Sequence, residues 1–445
     1  MHCGRKLKHD QFVLSVSYGD SNGDLGGTSK VIMAHQKMFE SAGISHLHIY
    51  PRFIRMPGTS VFLLRHWGVT KDGRTQSVGY TDREIIQVIG REIEQGSQLV
   101  EAHVHHLLNT DVDQLGIILD AFPVPIKFYL HDYYTMCTQF NLLKNDRQYC
   151  GEGKIDSKKC SNCIHYEKSQ HHFKKVQAFL ERFEDRLQFI APSDIVKKIW
   201  TSAYPAYQDQ VCVVSHQVLI GQYAGNCEIL SEKSPIRVAF VGGQSANKGW
   251  HQWEQATAKA NGKGANEVFY HFGKTGDGIP YIKKVPVSFS LENLNAMLTA
   301  LRLHGIDVAI LWSICPETYS YTYFECTAAN VFVITNKDSG NIAAMVRLRA
   351  NGIVLDDEDE LAALLCDDAK LKILINAFKS SQPGGPAELI DNTELIKMLP
   401  KDGNCISNNI PIYSGAPFSL VRRQTRTILY GLYGMSKRIW RRCAG

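Results

Sequence analysis

Short apolar runs alternate along this chain with segments whose apolar residues recur at helical spacing, and glycine-rich or polar turns separate them. Runs at 12–17, 45–50, 60–64, 99–104, 126–130, 189–191 and 211–215 predict strands in the first half. Helices are expected over 28–42, 173–187 and 193–200. In the second of these, Phe173, Val176, Phe179, Leu180 and Phe183 share one side, and Ser193 supplies an N-cap for the third. The second half repeats the alternation. Strands are expected at 237–241, 267–272, 284–289, 308–311, 331–334 and 353–355, with helices over 291–305, 319–330 and 358–365. Near-continuous apolar strands that alternate with helices mark parallel sheets buried on both faces, so the fold class is α/β.

The chemistry is densest between residues 306 and 335. A strand at 308–311 leads into a loop holding Pro316 and Glu317, then into a helix carrying Glu325. In an open parallel sheet, ligands sit beyond the carboxyl ends of strands, at helix N-termini. Glu317 and Glu325 are eight residues apart, just over two helical turns, so both can face one cleft about 10 Å apart along it. That separation suits a ligand with two sets of hydroxyls, such as a sugar and a ribose. The free N–H groups of the first turn, Thr318, Tyr319, Ser320 and Tyr321, suit a diphosphate. The plainer alternative is one solvated Glu in a loop and another on a helix face.

The Glu-x7-Glu spacing within PETYSYTYFECTAANVFVIT resembles the donor-site motif of retaining glycosyltransferases with the GT-B fold. The pattern HDYYTMC, then N-L-L, C-G and C-x-x-C, is similar to a family 4-like subgroup that builds bacterial surface polysaccharides. This resemblance covers most of residues 12–365. It implies two Rossmann-like domains facing each other across a cleft, 1–220 on the acceptor side and 237–400 on the nucleotide-sugar side, joined by a linker at 221–236. The implied reaction moves a hexosyl or deoxyhexosyl unit from a nucleotide-sugar to a hydroxyl of a glycan or lipid-linked glycan, with retention. Glu317 would orient the sugar and Glu325 the ribose. His131 would lie beside the transferred sugar, with Asp132 and His105 on the acceptor side. Lys248, in Asn247-Lys248-Gly249, would neutralise the leaving diphosphate, helped by the glycine loop Gly26-Gly27-Thr28. No catalytic metal is implied. The chain departs from the pattern at Gly243, where these enzymes often carry Arg, so the two-cation clamp is incomplete.

The residues support these roles unevenly. Gly26-Gly27 at a strand-to-helix junction allows close approach of an anion, yet it is also an ordinary turn, and no G-x-G-x-x-G or P-loop pattern occurs. In His103-Val104-His105-His106, the first and third histidines share a strand face and the last opposes them. A zinc site there lacks a third ligand of clear spacing, so a polar strand end lining the cleft is expected. Cys137, Cys150, Cys160 and Cys163 end in C-x2-C, a geometry that lets two thiolates chelate one metal. The set reads as a structural zinc site closing a polar loop, or as four reduced thiols or labile disulfides.

Composition narrows the setting. Of the 445 residues 44% are hydrophobic and 21% charged, with a net charge of +5, ordinary for a globular protein of two or three domains. No run is long enough to span a bilayer, and the N-terminus enters a strand with no signal-peptide pattern. With scattered cysteines, a cytoplasmic protein is expected. The tail, 401–445, carries seven Lys and Arg and no Asp or Glu from residue 417 onward, interleaved with apolar residues. It reads as an amphipathic helix for an anionic membrane surface on the inner face, or as a last helix packing back on the first domain. No nucleic-acid module accompanies the charge. Two rivals to the transferase remain: a sugar-nucleotide epimerase or phosphorylase on the same fold, and an inactive binding subunit that activates a partner enzyme.

Overall fold

The computed structural model describes residues 6–22, 26–55, 62–221, 229–264, 266–274, 276, 278–290, 293–381 and 388–400. The basic tail and part of the expected linker lie outside them. The chain's contacts group into two compact units that interleave along the sequence. Of the described residues, one comprises those from 6 to 130, 174 to 190 and 393 to 400, the other those from 131 to 173 and 191 to 392.

The first unit is built on a sheet whose strands run in the order Leu187–Ala191, Ile126–Tyr129, Gln98–Val104, Gln11–Val16, Ile44–Arg55, Phe62–Lys71, Arg74–Thr75. The first five are parallel, and the last two return antiparallel. Every residue of Phe12–Val16 is buried, as a central strand covered on both faces requires. Helix Gly27–Ser41 follows that strand, and Asp82–Glu94 is closed by a capping box between Thr81 and Glu84.

The second unit carries a six-stranded, wholly parallel sheet. Its order is Ile282–Pro286, Val268–Gly273, Arg237–Val241, Val308–Ile310, Phe332–Asn336, Gly352–Leu355. In chain order this is 3-2-1-4-5-6, the doubly wound arrangement, with its reversal between Arg237–Val241 and Val308–Ile310. Successive residues feed opposite faces. Val238, Phe240, Val308 and Ile310 enter one core with Trp253 and Leu361, whereas Ala239, Val241, Ala309 and Leu311 enter the other with Tyr323 and Val333. The expected strands and the helix Glu358–Leu365 are present.

Several elements depart from the sequence reading: the helix expected over 291–305 runs Ala296–His304, the strand expected at 284–289 runs Ile282–Pro286, and two further helices differ. Helix Tyr166–Arg182 begins a full two turns before Phe173. Its opening residues, YEKSQHH, are polar and leave no apolar stripe to read. The helix expected over 319–330 begins only at Tyr321 and ends at Ala328. Ser320 stands before it in the left-handed region, at φ 66°, so the chain turns there rather than continuing from Thr318.

Candidate functional site

Two loops meet at the point where the second sheet reverses its strand order. The first leaves Arg237–Val241 and forms a short 3-10 turn, Ala246–Lys248, before helix Trp250–Gly262. Gly249 ends that turn at φ 77°, and a Cβ there would lie 2.0 Å from the carbonyl oxygen of Trp312. Only glycine allows both that conformation and that approach. The second loop leaves Val308–Ile310. Ile314 N donates to Asn247 O at 3.0 Å, tying the loops together.

This tie places Lys248 Nζ 2.6 Å from Glu317 Oε1. Ser313 Oγ lies 2.9 Å from the same carboxylate oxygen. The Lys248 side chain is 41% exposed and that of Glu317 12%, so the lysine is the more open member of the pair. Burial pulls Lys248 down, but the Glu317 charge and hydrogen bond outweigh it and hold the ammonium above its usual range. The Glu317 backbone is also anchored, since its carbonyl accepts from Asn341 N at 2.9 Å. Gly340, at φ 59°, packs so closely that a Cβ would lie 2.6 Å from Glu317 N.

The following helix start differs from expectation. Of the four amides assigned to the first turn, only that of Tyr321 lies in the helix. Thr318, Tyr319 and Ser320 form the approach to it. The Thr318 hydroxyl donates to His131 O at 2.7 Å, and Tyr319 stacks on Phe324 with ring centroids 4.4 Å apart. These contacts draw the chain off a helical path. Ser320 Oγ then caps the helix by accepting from Tyr323 N. Glu325 is buried on this helix, at 3% exposure. Burial, and then in part the Glu325 charge, push the Tyr319, Tyr321 and Cys326 acids upward.

His131 and Asp132 are half-buried beside this loop. The His131 ring lies 5.3 Å from that of His216, whose pKa burial pushes down to about 3. Asp132 Oδ1 accepts from Tyr134 N at 2.8 Å, shaping the turn after the strand. Sequence reasoning missed Tyr133. It is 1% exposed, and its hydroxyl has no hydrogen-bond partner among the described residues. Burial raises its pKa well above the phenol range, and Tyr149, Cys315, Glu317 and Asp132 push the same way. The adjacency of Tyr133 to His131-Asp132 was a signal, but nothing in the sequence shows which way the ring points.

All four loop cysteines, Cys137, Cys150, Cys160 and Cys163, line one small cavity of about 20 Å³. Regular structure in this loop amounts to the two-residue strands Leu143–Lys144 and Gln148–Tyr149. The thiols are free. Burial pushes Cys150 up to about 11 and raises Cys137 as well, with the neighbouring thiols contributing.

In the first unit, Gly26 is the N-cap of Gly27–Ser41, extended at φ −141°, with no acidic residue in the first turn and Thr28 just inside it. The junction again lies at a strand-order reversal, between Gln11–Val16 and Gln98–Val104. His105 is not at an open strand end. His103, His105 and His106 are all buried, at 0%, 1% and 6% exposure, because helix Gly27–Ser41 covers the face that carries the first two.

No protein-family model matches this chain, and no curated protein does. Among solved structures, sucrose-phosphate synthase from Thermosynechococcus elongatus superposes with a TM-score of 0.52 at 13% identity, over 87% of this chain and 96% of its own. The chain has the GT-B fold. Two further GT-B structures are similar at lower scores. Anabaena Alr3699/HepE, solved with UDP and glucose, gives 0.48 at 13% identity over 87% and 97% of the two chains. The pneumococcal O-GlcNAc transferase GtfA, solved with UDP and GlcNAc, gives 0.48 at 10% identity over 84% and 96%. Among the described residues of this GT-B chain, no helix is long and apolar enough to cross a membrane.

Proposed function

We propose that this chain is a glycosyltransferase that moves a sugar from a nucleotide-sugar to an acceptor hydroxyl, with retention at the anomeric carbon. The observation that carries this reading is the Lys248–Glu317 pair at the strand-order reversal of a doubly wound sheet. A nucleotide-sugar presents a diphosphate and a polyhydroxyl ring side by side. The Lys248 ammonium meets the first, and a carboxylate held by Ser313 accepts from the hydroxyls of the second. Charge grows on the diphosphate as the sugar leaves, and Lys248 stabilises that charge in place. The amide at Tyr321 would be a further anion donor. Glu325 would serve the ribose, and His131 and Asp132 the sugar and acceptor. The resemblance at 131–163 supports a role in surface-polysaccharide synthesis.

The test is a panel of UDP-, ADP- and GDP-sugars offered with glycan acceptors, read by mass spectrometry and calorimetry. Transfer with retained anomeric configuration is the expected result. Donor binding without any transfer would favour a binding subunit, the reading that Gly243 supports. Epimerised donor would mark an isomerase.

The four loop cysteines are, in this reading, a structural zinc site. Four thiolates fill a tetrahedral shell and leave no position for chemistry, so the metal would hold the loop rather than react. Support comes from their convergence on one cavity in a segment whose regular structure is limited to two two-residue strands.

A further inference from the structure

We propose that His35, His103 and His105 form a second metal site, buried within the first unit and suited to zinc or a similar divalent ion. One ligand nitrogen from each lies within 4.8 Å of the others, and all three residues are buried. Among the described residues this is the one such group of three or more potential ligands; the loop thiols share a cavity but are spread more widely. A tetrahedral ion with bonds of about 2.0–2.1 Å sets its nitrogens roughly 3.4 Å apart, so capture needs inward shifts of about 1 Å.

The third ligand is what the sequence spacing did not show. His103, in strand Gln98–Val104, and His105, just past its end, share one face, and His35 descends onto that face from helix Gly27–Ser41. Its ring centroid is 5.2 Å from that of His105 and 6.3 Å from that of His103. His35 and His103 ride on regular elements, which hold ligand geometry better than loops do, and His105 is fixed just past the strand by its N–H, which donates to Val16 O at 2.8 Å.

An outer carboxylate is already in place. Glu101 Oε1 lies 2.5 Å from His103 Nε2, and Lys127 Nζ holds Glu101 at 2.8 and 2.9 Å. A carboxylate that accepts Nε2–H fixes the tautomer and leaves Nδ1 as the acceptor, bonded here by the Tyr129 hydroxyl; a metal would take that lone pair in its place, with the carboxylate behind the ring as is common for ligating imidazoles. Tyr129 Oη, 3.0 Å from that Nδ1, is an oxygen at hand for a fourth position. A layer needing only apolar rings would be served by Phe, with no nitrogens to satisfy. The ion would clamp the helix that begins at Gly27 to the central strand. The proposal is independent of the transferase reading.

The experiment is cobalt(II) titration of the untagged, chelator-stripped full chain, with metal content measured in parallel. The expected result is one equivalent bound with visible ligand-field bands but no near-ultraviolet thiolate charge transfer, beyond any equivalent that shows it. Cys160→Ser with Cys163→Ser should leave this signal intact. His105→Phe, which keeps a ring against Tyr129, should abolish it, and Glu101→Gln should weaken binding about 10–100-fold. Should His105→Phe fail to fold, the wild-type spectrum decides alone. A wild type that binds cobalt only through thiolates or not at all, or a His105→Phe protein that retains the signal, overturns the proposal.

Discussion

Lys248 Nζ rests 2.6 Å from Glu317 Oε1 although 69 residues separate the two in the chain. Strand order accounts for the meeting. Arg237–Val241 and Val308–Ile310 are neighbours in the sheet, so the loops leaving their carboxyl ends must share the space above them. Neither side chain belongs to the apolar core, and Ser313 still holds the Glu317 carboxylate when the lysine is removed. The expected consequence of Lys248→Ala is therefore a loss of roughly 10²–10³-fold in kcat with the folded state intact, the usual effect of removing one stabiliser of transition-state charge. Glu317→Ala should reduce kcat/KM comparably. Steady-state kinetics with circular dichroism checks both, and wild-type turnover in the two variants would defeat the assignment.

Gly243 offers a gain-of-function test. A Cβ placed there meets nothing within 4 Å, so a larger residue fits without displacing its neighbours. Gly243→Arg would put a second cation on the loop that ends in Lys248. A charge-assisted hydrogen bond to phosphate is worth about 1.5 kcal/mol, which predicts nucleoside-diphosphate binding roughly tenfold tighter by calorimetry. The gain should shrink as salt is added. Unchanged affinity would mean that the diphosphate does not lie beside this loop.

How far the sequence showed this protein depends on the kind of information each feature needs. Strands such as Arg237–Val241 were legible because apolar runs report burial directly. Lys248 and Glu317 were legible one at a time, through glycine and proline turns at strand ends. Their contact was not, since it follows from strand order, which is tertiary. Ser320 read as helix because serine carries no sign of a left-handed backbone. The histidine pair at 103 and 105 was visible as a strand-face pair, yet its covering helix and His35 came only with the fold.

Acid should unfold this protein earlier than its carboxylates alone would predict. His48 is 1% exposed, with Ser15 Oγ 2.8 Å from Nδ1. Burial pushes it down to about 4 even though the Gly19 carbonyl, Asp20 and Ser15 pull the other way. An unfolded His48 takes up its proton near pH 6.5, whereas the folded one resists until about 4. Between those values the unfolded state binds more protons, so stability is lost as pH falls, by up to about 1.4 kcal/mol per pH unit. His216 adds a contribution of the same sign. Urea midpoints measured between about pH 7 and 5 should decline, and His48→Gln should flatten the decline.

Zinc removal should open the cysteine loop before anything else. Lys154, Lys158 and Lys159 lie between Cys150 and Cys160, in a stretch with few backbone ladders of its own. Cys160→Ser with Cys163→Ser is expected to release one zinc and speed tryptic cleavage there, leaving the far-ultraviolet spectrum nearly unchanged. Metal analysis beside limited proteolysis reads both effects. Slow cleavage in zinc-free protein would show that the thiols pack without a metal.

Tyr133 should trade stability for activity. Its hydroxyl is buried with no partner among the described residues, next to a loop that carries Glu317. A buried donor left unsatisfied costs about 1–3 kcal/mol. Such a cost is tolerated where the missing partner is a ligand. Tyr133→Phe removes the orphan oxygen and keeps the ring, so thermal stability should hold or rise by about 1 kcal/mol. If the hydroxyl meets the donor sugar or the acceptor, transfer should fall at least tenfold, about 1.4 kcal/mol of lost transition-state binding. A variant that is both more stable and fully active would identify the hydroxyl as a packing flaw with no part in the reaction.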